Sequence, residues 1–166
     1  MLHSGIDVGH RVEIGRWCRL ILDPGARLVL GDDCIVDDGC TLAVYGRGAI
    51  ELGPGTFLGH HCTLAARAEI MIGEGTFLAE LVSIRDHDHA VGKRPSEGDA
   101  QVESVRIGDH SWIGAKVTVV RGSRIGDGTV VGANAVVRGE LPPRTVCAGI
   151  PARVVRTLPE AHRADG

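Results

Sequence analysis

The chain has 166 residues, a formal net charge of −3 and only 3% aromatic residues. That length suits one domain with a continuous core, and the scarcity of rings makes that core aliphatic. The absence of a basic stripe and of an aromatic platform argues against a nucleic-acid partner, and no apolar run reaches membrane-spanning length. The opening MLHSGIDVGH lacks the charged-then-apolar order of an export signal, so a cytoplasmic location is expected.

From Val8 onward, aliphatic residues recur every six positions. They group as Val8, Ile14, Leu20; Leu30, Val36, Leu42; Leu52, Leu58, Leu64; Ile72, Leu78, Ile84; Ile107, Ile113, Val119; and Ile125, Val131, Val137. Small or β-branched residues often follow four positions later, among them Ser111, Val117, Ser123, Thr129 and Ala135. A period of six fits neither a helix nor a two-period strand. It fits short strand-and-turn units wound into a solenoid, in which each coil buries its aliphatic residues on the next. The 24 glycines agree with a chain that turns every few residues.

An uninterrupted coil takes 18 residues, as from Ile107 to Ile125, whereas the first three take 22, 22 and 20. The surplus predicts small corner extrusions at Asp23-Pro24-Gly25 and at Tyr45-Gly46-Arg47-Gly48. Cys18, Cys34, Cys40 and Cys62 fall at the small inward position and read as buried thiols packed as small hydrophobes. A disulfide between stacked cysteines is compatible with strand spacing, while no CxxC pair supports a metal site.

The rhythm breaks once on a large scale. From Ile72 to Ile107 the spacing is 35, which leaves 17 residues for a loop after Ile84 that contains Asp86-His87-Asp88-His89. After Val137 the consecutive Pro142 and Pro143 are expected to stop the repeat, because neither can donate a ladder hydrogen bond. A short helix is expected over Ala152–Leu158, with Pro151 at its first position. It should end at Pro159, with 161–166 fraying. The reading is thus all-β: a parallel β-helix of about six coils over 1–142, a loop at about 85–104, and a tail over 143–166 with a short helix.

The coils, the histidine loop and the tail AGIPARVVR together resemble the hexapeptide-repeat acyltransferases, most closely over Val105–Leu158. The DHDH loop is most similar to bacterial O-acetyltransferases of sugars and surface polysaccharides, with galactoside and maltose acetyltransferases close by. The resemblance implies a left-handed β-helix, a homotrimer with sites between adjacent prisms, acetyl-CoA as co-substrate, a saccharide or similar small polar acceptor, and no metal. It aligns His87 with the catalytic histidine. Ala115, Ala133, Arg138 and Gly139 are implied along the pantetheine and adenylate, and Arg153 and Arg156 at phosphates.

The chemistry is consistent with that assignment. Acetyl transfer from a thioester to a hydroxyl needs a base near neutrality and donors for an oxyanion, and histidine titrates in the right range. Asp86 and Asp88 could orient an imidazole, although acidic residues beside a turn are usually solvated. His89 either lines the acceptor site or faces solvent, with the second favoured. Trp112 shares a column with Phe57 and Phe77 and serves either the site or a subunit interface. Gly59 replaces an asparagine of the galactoside and maltose enzymes, and His60 and His61, which follow it, either reshape the acceptor pocket or are outward turn residues. Two other readings remain at this point: a γ-carbonic-anhydrase-like metalloenzyme, weakened because no two of the eight histidines stand five apart, and a β-helical interaction subunit without activity.

Overall fold

A computed structural model describes residues 5–92 and 100–159, so residues 93–99 of the loop and 160–166 of the tail lie outside the described residues. The chain winds into a three-sided parallel β-helix of about six turns, as expected of a left-handed β-helix. Its faces are sheets of seven, eight and six strands. The register follows the six-residue repeat. Val8 pairs with Leu30, Leu30 with Leu52, Leu52 with Ile72, and Ile72 with Ile107 across the 17-residue interruption. The other two faces repeat this with Ile14, Val36, Leu58, Leu78 and Ile113, and with Leu20, Leu42, Leu64, Ile84 and Val119. The side chains of these columns, from the second coil upward, are buried to within a few per cent.

The surplus residues of the early coils are spent differently from the expectation. They lengthen the strands beside the corner between the third and first sheets, giving four-residue strands such as Thr41–Val44 and Ala49–Leu52. Only a tight turn remains between them. Each long strand carries two inward side chains, for example Ile50 and Leu52, so the core thickens there.

The corner between the second and third sheets shows how the stack tolerates awkward backbone. Trp17, Gly39, His61, Leu81, Lys116 and Asn134 occupy one column there, all with φ between 58° and 74°. A left-handed conformation costs a non-glycine residue roughly 1 kcal/mol. Above the first coil the cost is offset because each N–H meets a carbonyl of the coil below, as with His61 to Asp38 (3.0 Å) and Leu81 to His60 (2.9 Å). His61 is therefore a corner residue. On the opposite side of the stack, glycine is needed for close approach: a Cβ on Gly53 would lie 2.7 Å from the Glu74 nitrogen.

The two prolines do not stop the stack. Leu141 continues the first sheet beside Ile125, and Cys147 continues the second beside Val131. The reason lies in hydrogen-bond direction. Gly73, Gly108 and Gly126 donate upward to Ile107, Ile125 and Leu141, and Pro142 is next in that column, where no coil lies above to receive a bond. The Pro142 carbonyl is used, accepting from the hydroxyls of Thr129 and Thr145, each at 2.8 Å.

The tail also departs from expectation, since Ala152–Thr157 is a strand and not a helix. It folds back antiparallel on Thr145–Gly149 and caps the second sheet. The open edge of Thr145–Gly149 offers unpaired backbone groups, and the β-branched Val154, Val155 and Thr157 suit pairing there.

All five cysteines are free thiols. Burial pushes the Cys34 thiol up, and a hydrogen bond with Cys40 together with burial pushes Cys62 up. Cys40, Cys62 and Cys34 each donate to a carbonyl at 3.1 Å within the core. No helix among the described residues is long and apolar enough to cross a membrane.

One column gives a direct test of stacking. Leu64 is 0% exposed between coils, whereas Leu20, in the first coil, is 36% exposed. Leu64→Ala should lower unfolding free energy by about 2–5 kcal/mol. The same change at Leu20 should cost only about 1 kcal/mol, read from urea midpoints.

Candidate active site

The break in the repeat falls at the corner between the third and first sheets. In the second coil this corner is Tyr45–Gly48, but in the third it is only Arg67 and Ala68, between Thr63–Ala66 and Glu69–Ile72. The shortened corner leaves the N–H groups of Arg67 and Ala68 without a carbonyl from the coil above. Asp86, fully buried, supplies its carboxylate instead. Its oxygens accept from Arg67 N at 2.8 and 3.0 Å and from Ala68 N at 2.7 Å. Asp86 is therefore not the solvated turn acid that its position suggests.

The same carboxylate holds His87, with Asp86 Oδ1 2.9 Å from Nδ1. A carboxylate can only accept, so Nδ1 donates to it, and in the neutral imidazole Nε2 keeps its lone pair. The imidazole is 13% exposed, enough to meet a small molecule but not to rotate freely. Tyr45 meets it edge-on from two coils below, with centroids 6.1 Å apart and planes at 89°. The contact exists because the third coil's corner is two residues shorter and lets the two rings pass over it. The Arg67 guanidinium lies over the Tyr45 ring, 5.6 Å from its centroid.

Beyond His87 the loop is ordered by a clasp. His87–His89 pairs antiparallel with Ala100–Val102. Arg121, from the coil above, reaches Gln101 Oε1 at 2.6 Å, Glu103 Oε2 at 3.2 Å and Asp88 Oδ2 at 3.3 Å. Its buried Nε faces Asp88 without the alignment of a hydrogen bond. A cavity of about 670 Å³ opens above this clasp. Val120 and Val136 lie at its floor, with Asp88 and His89 on one side, Arg138 and Gly139 beside them, and Ile150 and Pro151 from the tail hairpin opposite. A separate groove of about 610 Å³ runs along the first sheet past Met71 and Arg106, away from His87.

Residues 104–139 match the bacterial transferase hexapeptide family, a model of six repeats. A protein of Escherichia coli K12 named as a lipopolysaccharide biosynthesis O-acetyl transferase, WbbJ, is 33% identical over 85% of this chain and 80% of its own. The chain belongs to the hexapeptide-repeat acetyltransferases. A maltose O-acetyltransferase from Clostridium difficile 630 superposes with a TM-score of 0.69 at 29% identity, over 93% of this chain and 70% of that one. A hexapeptide-repeat acetyltransferase from Vibrio cholerae, solved with acetyl-coenzyme A, gives 0.70 at 26% identity over 79% and 71%.

The residues expected at the site fall around His87 unevenly. Arg138, Gly139 and His89 share the 670 Å³ cavity. Ala115 and Ala133 stack at the next corner, joined through Asn134 N to Ala115 O at 2.9 Å. Arg153 pairs with Ala148 in the tail hairpin, and among the described residues its guanidinium hydrogen-bonds its neighbour's carbonyl, Ala152 O at 2.8 Å. Arg156 stands exposed on the same strand. Trp112, 55% exposed, stays on the second sheet in register with Phe77, which stacks on Phe57 at 4.6 Å. His60 is at a remote corner with Nε2 3.4 Å from Asp37 Oδ2. Within one chain, therefore, neither Trp112 nor His60 joins the His87 cluster. Among the described residues no group of three His, Cys, Asp or Glu side chains could hold a metal ion.

Three residues of the cluster escaped sequence reading: Tyr45, Arg67 and Arg121. A signal existed for the first two, since Tyr45, Arg67 and His87 stand 22 and 20 apart, the spacings of the coils themselves. Asp86→Ala should strand two buried N–H groups and lower stability by at least about 2 kcal/mol. Asp88→Ala, at the exposed end of the Arg121 clasp, should cost about 1 kcal/mol or less. Paired urea titrations give both values.

Proposed function

We propose that the protein transfers the acetyl group of acetyl-CoA to a hydroxyl of a sugar or similar small polar acceptor. The buried Asp86–His87 pair carries this reading, because it fixes one tautomer of an otherwise mobile loop imidazole. Nε2 takes the proton of the acceptor hydroxyl as its oxygen attacks the thioester carbonyl. The tetrahedral intermediate collapses by breaking the carbon–sulfur bond, and the imidazolium returns the proton to the departing thiolate. Asp86 is a positioning residue that stabilises the imidazolium by charge and fixes its plane.

The similarity to proteins named O-acetyl transferase, and to one solved with acetyl-coenzyme A, supports both the reaction and its donor. We assign the pantetheine to the cavity beside His89, Arg138 and Gly139 and along the backbones of Ala115 and Ala133, with Arg153 and Arg156 toward the phosphates. A guanidinium fork suits that last task. One prism offers the base on a corner with an open outer side, so we propose a homotrimer in which each site is closed by a neighbour. The exposed aromatic column of Phe57, Phe77 and Trp112 is a surface suited to that contact. A cytoplasmic location belongs to the same reading, the compartment in which free thiols persist.

His87→Ala should keep the fold and lower kcat by about 10²–10⁴-fold. Acetyl-CoA affinity should survive, since the base does not grip the nucleotide, and His89→Ala should be milder. Full transfer by the His87 variant would overturn the mechanism. Arg153→Ala should raise KM for acetyl-CoA with kcat little changed, as expected of binding shared by ground and transition states. Light scattering should give three chains per particle, and a monomer at assay concentration counts against a shared site.

A further inference from the structure

We propose that the acceptor is an anionic sugar, one carrying a carboxylate or a phosphate, and that Arg67 is the residue that binds this group. The proposal rests on His87 being the base, and it adds the chemical class of the molecule that the base deprotonates.

Five outward arginines pair with acids of neighbouring coils: Arg11 with Asp33, Arg16 with Asp38, Arg27 with Glu51, Arg106 with Glu69 and Arg124 with Glu140. Others, such as Arg19 and Arg138, are exposed with no ion pair among the described residues, and three such cations gather beneath His87. Arg67 is exposed and makes no ion pair among the described residues; its guanidinium rests only on the face of Tyr45. Arg47, in the corner of Tyr45, and Arg85, one residue before Asp86, are also exposed without an ion pair there. Among the described residues the acid at this place, Asp86, is buried and already committed to two backbone N–H groups and His87. The described acids of the loop above, Asp88 and Glu103, are held by Arg121.

Geometry then selects Arg67 from this strip. Its own N–H is bound by the carboxylate that orients His87, at 2.8 Å against 2.9 Å, so one buried group sets the position of both residues. Its guanidinium and the imidazole lie on two sides of a single ring, Tyr45 over Arg67 and edge-on to His87. A cation held on an aromatic face keeps its fork of donors free at the edge, the geometry that carboxylate and phosphate oxygens accept. Ala43 and Ala65, outward-facing and in register with Arg85, are themselves buried, so the surface offered beside His87 is that of the arginines and Tyr45. A hydroxyl delivered to His87 Nε2 from a molecule seated there would carry its charged group toward Arg67.

The test uses the full-length protein with saturating acetyl-CoA and three matched acceptors: glucose, glucuronate and glucose 1-phosphate. We expect kcat/KM for at least one charged acceptor to exceed that for glucose by about tenfold or more, the scale of a charge-assisted contact. The preferred member of the two tells carboxylate from phosphate. Arg67→Ala should erase the ratio between charged and neutral acceptors, Arg67→Lys should keep part of it, and Arg11→Ala, on a remote ion pair, should leave it intact. Equal rates for all three in the unaltered protein, or a preference that survives Arg67→Ala, overturns the anion site. So does an Arg67→Ala defect that resides in KM for acetyl-CoA. If His87→Ala keeps full transfer with any acceptor, the assignment of the base fails instead, and the two failures are told apart.

Discussion

Each coil of this protein is held by hydrogen bonds to the coils above and below it, and that dependence sets the rest of the structure. A coil cannot change length without leaving peptide groups unpaired, because its neighbours expect a partner at every position. Inward stacking of Leu, Ile and Val reinforces the same register, since a slip of one residue would turn those side chains outward. The fold therefore accepts irregularity only where something else satisfies the backbone. At the left-handed corners the carbonyl of the coil below does so. At the upper end Pro142 and Pro143 need nothing, having no N–H to satisfy.

The site arises where this accounting fails inside the stack. The third coil is two residues short at one corner, and two N–H groups there point at no carbonyl. Asp86 answers both with one carboxylate and uses a remaining lone pair to hold His87. One buried group thus satisfies two peptide N–H groups and orients an imidazole. The shortened corner also brings Tyr45 and His87 within 6.1 Å across two coils, which regular stacking would have kept about 9–10 Å apart.

Above His87, residues of the loop and of the tail hairpin line the cavity that also holds Arg138 and Gly139. Arg121 fixes the loop by reaching three of its side chains at once. Below His87, Arg47, Arg67 and Arg85 are exposed without an ion pair among the described residues. The surroundings of His87 therefore differ in kind: a cavity lined by its loop neighbours Asp88 and His89 on one side, and a positively charged strip on the other.

The six-residue period determined the coils, their register and the place of the loop, because the inward columns recur in sequence at the spacing at which they stack. Val8 through Ile125 and Leu20 through Val137 align as their spacing requires. The place of His87 in the loop was legible from the break in the repeat, whereas the meeting of Arg138 and Gly139 with His89 in one cavity is seen only in the structure. What the sequence could not decide is whatever depends on the third dimension between columns. Asp86 reads as a solvated acid until the short corner beside it is seen, and Arg67 reads as an ordinary surface charge until its lack of an acidic partner is seen. Arg121 clasps a loop that begins more than 30 residues before it. The tail read as a helix, because Ala152–Leu158 carries no periodic signal against one. Only the open edge of Thr145–Gly149 made a strand the better way to satisfy its backbone.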